Sequence, residues 1–297
     1  MLATLGSSAL IVRHGQRLAR PILSHPAQVS QPPQVSQPEL SAESDPVSGT
    51  VSTTGSAVAA VDSMSLATGG ALAIGVAVLD RQTGQLNLGA EGATPFYSAS
   101  VVKLFTVVDI VRRAETGRAT LSPAQLDNMQ RALMVSDDNA MNALWDQFGG
   151  SSTVTELIGL ANLQDTQPPA NPGEWGETRM SARDVVAVYQ YLLTSINPGD
   201  RQFVLDALSN AQNTGADGFD QAFGLLASPR LSGVAAKQGW MVDGGSEYLH
   251  STGIVGSGDR YLVAVLSKRP ASSGYDVGRA DVSTAVGRLT GSLGLTS

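Results

Sequence analysis

Between Val101 and Val111 the chain reads Val-Val-Lys-Leu-Phe-Thr-Val-Val-Asp-Ile-Val, apolar except for Lys103, Thr106 and Asp109. At helical spacing these apolar residues cover nearly the whole circumference. Such a helix cannot lie on a surface and must be enclosed by other elements. The 297 residues suffice for that enclosure, with one large core of about 230 residues and a tail. The lysine is the anomaly, because lysine is almost never fully buried unless paired.

The flanking sequence supplies the enclosing layers. Residues 71–79 form a short apolar run, followed by a Thr-Gly turn and residues 85–88, which predicts a β-hairpin. Helical patterns follow at about 100–115, 123–135, 138–148, 153–161, 182–194 and 199–211. Ser122-Pro123 marks a helix start, Gly149-Gly150 a helix end, and Thr153/Glu156 and Ser181/Asp184 have capping-box spacing. Strands return at about 234–240, 249–256 and 260–267, and 276–291 reads as a closing helix. Strands at both ends of a helical middle predict an α+β fold, an antiparallel sheet flanked by helices with an all-helical subdomain.

Residues 1–65 read as a separate tail, with the folded domain at 66–297. An apolar stretch precedes Arg13, Arg17 and Arg20, the reverse of the charge order in an export signal, so a truncated or degenerate signal and an unrelated segment both fit. The near-repeat Gln-Val-Ser-Gln-Pro at 28 and 34 and the Ser/Thr/Gly-rich sequence after it have the composition of a linker.

Composition removes several chemistries. A net charge of -7 disfavours nucleic acid and anionic membrane surfaces as partners, and no apolar run is long enough for a transmembrane helix. The chain has no cysteine, hence no thiol nucleophile and no thiolate-held metal. Only three histidines occur, and just His250 lies beyond residue 25, so neither a two-histidine zinc motif nor a Ser-His-Asp triad is well supported. No lysine follows a glycine, which excludes a phosphate-cradling loop. No cofactor is expected.

Three lysines exist, at 103, 237 and 268. Ser100 stands one turn before Lys103, on the same face at the helix start. A serine hydroxyl needs a neighbouring base to act as a nucleophile. A lysine amine serves if burial and nearby positive charge lower its pKa from about 10.4 toward about 7–8. The helix N-terminus adds N–H groups and dipole suited to a developing oxyanion. Two further segments are weak alone, Ser136-Asp137-Asp138-Asn139 between helices and Lys237-Gln238-Gly239 on a strand.

Together, in this order and on these elements, they resemble the penicillin-recognising serine hydrolases, most closely the class A β-lactamase family, whose motifs are S-x-x-K, S-D-N and K-T-G. The resemblance spans about residues 70–295. It implies Ser100 as nucleophile, Lys103 as base or proton relay, Ser136 as proton donor to the leaving nitrogen, and Lys237 as carboxylate holder and perturber of Lys103. The N–H groups of Ser100 and Trp240 would form the oxyanion hole, with Asp138, Asn139, Gln238 and Gly239 beside the substrate. It also implies a monomer working outside the cytoplasm on a small β-lactam or a peptidoglycan peptide.

Departures bear on activity. Without a gap, Asp138 replaces the amide of S-D-N, and Asn142 falls on an asparagine the family also carries; a one-residue shift would use Asn139 instead. Gln238 replaces a hydroxyl. The family's deacylating E-x-x-L-N is missing from 161–178, where Glu174 and Glu177 are the substitutes, each also readable as a solvated loop charge. The 36 residues from Ser100 to Ser136 are fewer than usual, which trims the helical subdomain. Three readings stay open: a β-lactamase, a D,D-carboxypeptidase or slow penicillin-binding protein, and a catalytically impaired cell-wall peptide-binding module. His250 reads as a cleft residue or a structural one; Trp175 and Trp240 as residues able to flank the substrate, with core packing the other reading for Trp175 and the reading for Trp145.

Overall fold

The computed structural model describes residues 53–295. Helix α1 (Thr53–Ala67) leads into the hairpin β1 (Ala73–Asp80) and β2 (Gln85–Leu88), then the two-residue strand β3 (Phe96–Tyr97). Four helices follow: α2 (Val102–Glu115), α3 (Pro123–Met134), α4 (Asp138–Gln147) and α5 (Ser151–Leu160). Strand β4 (Arg179–Met180), α6 (Ala182–Ser195) and α7 (Pro198–Ser209) lead to β5 (Ala235–Asp243), β6 (Ser246–Val255), β7 (Tyr261–Pro270) and the closing α8 (Tyr275–Ser292). The fold is α+β, as expected.

The sheet is antiparallel with order β2-β1-β7-β6-β5, which leaves β5 at an edge. Side chains alternate across it with the strand period of two. Ile74, Val76 and Val78 of β1 face one way and pack with Val61 of α1 and Val282 and Leu289 of α8. Ala77, Ala264 and Leu266 face the other way, toward the helical subdomain, where α2 is buried from Val102 through Val111. The short β3–β4 pair, Phe96 opposite Met180 and Tyr97 opposite Arg179, ties the segment before α2 to the end of the 161–178 loop.

The linker expectation needs correction from residue 53 onward. Thr53–Ala67 is a helix, with Ala57, Val58, Val61 and Met64 buried against the sheet and α8. Its buried face is built from small side chains, so the hydrophobic periodicity is faint and the sequence passes for spacer. The export-signal and repeat readings at residues 1–52 lie outside the described residues. Among the described residues no helix is long and apolar enough to cross a membrane.

Of the two caps expected from spacing, one differs. Helix α5 starts at Ser151, so Thr153 is inside it and its hydroxyl donates to Gly150 O at 2.9 Å rather than capping. Ser181 does cap α6, accepting from Asp184 N at 3.1 Å. The Asp184 carboxylate then turns outward and accepts from the backbone N–H groups of Gln164, Asp165 and Thr166, which anchors the loop that covers the site.

Candidate active site

Ser100 lies in a single 3-10 turn, Ala99–Val101, that runs directly into α2. Ala99 has φ 45°, in the left-handed region that non-glycine residues rarely occupy. The turn is held from two sides. Ser98 N donates to Thr178 O at 2.8 Å, and the edge strand β5 packs against it at Gly239. A Cβ on Gly239 would stand 3.0 Å from Ser98 O and 3.1 Å from Val101 Cγ2, a tight approach that a larger residue would keep only by pushing these neighbours back a few tenths of an ångström.

One helical turn after Ser100, Lys103 is completely buried. Its Nζ donates to Ser100 Oγ at 2.9 Å, to Ser136 O at 2.6 Å and to Asp138 Oδ1 at 2.5 Å, with Ser136 Oγ at 3.2 Å. Lys237, on β5 and equally enclosed, donates to the same Ser136 Oγ at 2.9 Å and to Gln238 O at 2.8 Å. Ser136 therefore bridges two ammonium groups. It reaches that position at the α3–α4 junction with φ 54°, while its neighbour Asp137 caps α4 at Ala140 N and pairs with Arg131.

The electrostatics follow from this burial. Desolvation pushes the Lys103 amine below the ordinary lysine range, with the Asp138 carboxylate pulling in the opposite direction. Desolvation and the adjacent Lys103 charge push Lys237 well below it. A buried amine with a depressed pKa, bonded to a serine hydroxyl, is the arrangement that makes a hydroxyl nucleophilic.

Ser100 opens onto a cavity of about 390 Å³ lined by Asp138, Asn142, Glu174, Trp175, Trp240 and backbone of the 173–176 loop, among others. The ungapped register is the one that forms: Asp138, not Asn139, meets Lys103, and Asn139 is exposed without lining the cavity. Gln238 is also corrected. It is buried, and its amide donates to Phe223 O on the opposite face of β5 from Lys237, so it does not touch the cavity. Gly239 acts by packing, as described. Trp240 lines the cavity, stacks on Phe219 at 4.6 Å between centroids, and donates its indole N–H to Asp217 at 3.0 Å.

Glu174 lines the cavity and Glu177 does not; among the described residues neither carboxylate has a hydrogen-bond or ion-pair partner. Trp175 is half-buried, lining the cavity while packing against the core. Lys103 Nζ lies 4.8 Å from its ring centroid, and its indole N–H donates to Asn142 Oδ1 at 2.8 Å. Trp145 is buried in the core, with its N–H on Pro172 O at 2.8 Å. His250 is structural. Nδ1 accepts from Ser267 N at 3.2 Å, Nε2 contacts Tyr97 O at 2.7 Å, and burial pushes its pKa down to about 4. Among the described residues no group of three or more His, Asp or Glu is placed to hold a metal ion.

With this geometry in hand, the comparisons with known proteins are direct. Residues 123–291 match the family model described as "Beta-lactamase enzyme family". The chain belongs to that family. The matched segment begins downstream of Ser100 and Lys103 and contains Ser136 and Lys237. The chain is 38% identical over 218 residues to the protein named "Putative lipoprotein LppW" in Mycobacterium tuberculosis and in Mycobacterium bovis, covering 72% of this chain and 68% of the relative. Among solved structures it is similar to a class A β-lactamase from Bacteroides cellulosilyticus, with TM-score 0.65 and 15% identity over 80% of this chain and 98% of that one. PBP-A is similar to the same degree, with TM-score 0.64 and 17% identity over 80% and 96%. A variant of PBP-A is titled as an acyl-enzyme complex with penicillin G. At these identities the solved structures speak for the fold.

Proposed function

We propose that this β-lactamase family member is a serine hydrolase that opens cyclic amides through an acyl-enzyme on Ser100. The observation that carries the reading is the 2.9 Å contact between Ser100 Oγ and the buried Lys103 Nζ at the floor of an open cavity. With Lys103 neutral, Ser100 Oγ attacks the amide carbonyl and its proton passes to Nζ. The C–N bond then breaks as Ser136 Oγ gives a proton to the leaving nitrogen and regains one from the lysine pair it bridges. The N–H groups of Ser100 and Trp240 are the oxyanion donors in this scheme; Trp240 sits on the edge strand, where alternate N–H groups are free of the ladder. The acyl-enzyme of the PBP-A variant supports the step by similarity of fold.

Deacylation is the weaker half. Glu174 is the carboxylate at hand in the cavity besides Asp138, and Asp138 is engaged by Lys103. This favours a second reading, a slow penicillin-binding protein or D,D-carboxypeptidase in which acylation outruns hydrolysis. Either works as a monomer outside the cytoplasm, and the lipoprotein name of the LppW relatives supports a place in the cell envelope. Intact-protein mass after mixing with benzylpenicillin tests the proposal. The expected result is a one-penicillin adduct that decays slowly and is missing in Ser100→Ala. Adduct-free protein without turnover would contradict it and leave the impaired binding module.

A further inference from the structure

The cavity at Ser100 does not end at Trp175. A second cavity of about 600 Å³ shares Asn142, Gly173 and Trp175 with it and continues past Trp145 and Asp146 toward Gly150. The two form one trough along α4 and the 172–176 loop. Its charged lining is entirely acidic: Asp138 and Glu174 in the first part, Asp146 in the second. No arginine or lysine lines either part, because Lys103 and Lys237 lie beneath the wall at 0% and 1% exposure. Asp138 is engaged by Lys103, but Glu174 and Asp146 have no ion-pair or hydrogen-bond partner among the described residues.

The apolar part of the lining points the same way. All three tryptophans of the chain, Trp145, Trp175 and Trp240, line the trough. Indole faces attract cations through the ring quadrupole, and carboxylates attract them by charge. An anionic group in the same place meets repulsion from Glu174 and Asp146, which is discrimination rather than mere weak binding. In the acyl-enzyme scheme the leaving nitrogen lies by Ser136 and Lys237, so the acyl half of the substrate extends toward Trp175 and Asn142, into the trough.

We propose that the trough selects amide substrates whose acyl arm carries an ammonium group and rejects those whose arm carries a carboxylate. This rests on the acyl-enzyme reading above. The test uses three penicillins that differ only at the arm: benzylpenicillin (neutral), ampicillin (α-ammonium) and carbenicillin (α-carboxylate), at a pH where the amine is protonated. Acylation rates on the wild-type chain are expected to fall in the order ampicillin, benzylpenicillin, carbenicillin, on the order of tenfold between the extremes at low salt, and the spread shrinks as salt rises. Asp146→Asn narrows the spread between ampicillin and carbenicillin. Equal rates, or a faster carbenicillin reaction, would overturn the proposal. Calorimetric binding of the three compounds to Ser100→Ala separates the two ideas. The same order of affinity without any acylation of wild type would remove the acyl-enzyme reading and keep the selectivity; no order would remove the selectivity.

Discussion

Helix α2 carries two buried charged residues, one in its first turn and one midway along, and the two are handled in opposite ways. Near its start, Lys103 meets four acceptor atoms, and its carboxylate partner Asp138 has a side chain 62% exposed. Midway along it, Asp109 is fully buried and pairs with Arg113 at 2.6 Å, a residue itself only 13% exposed. Arg113 is tied in turn to Glu156 at 2.9 Å and to Phe148 O at 2.8 Å. Neither Asp109 oxygen has a well-aligned hydrogen bond, and desolvation pushes its pKa up to about 7 against the pull of Arg113. The closed pair is a fixture of the fold, with both charges removed from water. The open pair is a buried amine held beneath a cavity, with a carboxylate partner that solvent and ligands can reach.

Removing the cation from each pair breaks the comparison most sharply. Arg113→Met leaves Asp109 buried without its partner and is expected to lower unfolding free energy by about 3–5 kcal/mol in urea titration, with little change in acylation rate per folded molecule. Lys103→Met removes a desolvated amine while Asp138 relaxes into water, so stability changes by less than about 1 kcal/mol. Acylation by benzylpenicillin falls by roughly 10²–10⁴-fold, the usual contribution of a general base. Equal stability losses in the two variants would mean that the two pairs are alike.

A smaller effect sharpens the picture of the closed pair. The folded-state pKa of Asp109 lies above its ordinary value of 3.8, so the folded chain binds the extra proton between about pH 4 and 7 and the unfolded chain does not. That contribution to stability is present below pH 3.8 and lost as pH rises through about 7. Asp109→Asn lacks it. The variant is therefore expected to gain on wild type as pH rises across that window, measured by urea midpoints; a gap that is flat with pH would contradict the assignment.

The same contrast explains what was legible in the sequence. The hairpin, six central helices, three C-terminal strands and closing helix all leave strong periodic or capping signatures, and their structural bounds fall within a few residues of those readings. Ser100, Lys103, Ser136 and Lys237 were legible because a lysine in an apolar helix is conspicuous and the motif spacing is distinctive. Helix α1 was hidden because small residues make its buried face. The direction of Trp175 stayed open between cleft and core because the irregular 161–178 loop has no periodicity from which to read it; Asp184, just past that loop in sequence, fixes the loop through three backbone N–H groups. The turn of Gln238 away from the cavity was readable, since adjacent strand residues face opposite ways and Lys237 already claims the inner face. Asn142 likewise sits one helical turn after Asp138, on the same face of α4.

The central claim is that Lys103 acts as the base and that Asp138 opposes it by holding the proton. The pH dependence of single-turnover acylation in wild type and Asp138→Asn measures this directly. Removing the carboxylate takes away the influence that raises the Lys103 pKa, so the rising limb of the rate profile moves to lower pH and the rate near neutrality increases several-fold. A limb that stays in place, or moves to higher pH, would contradict the account and show that the proton Ser100 loses does not go to Lys103.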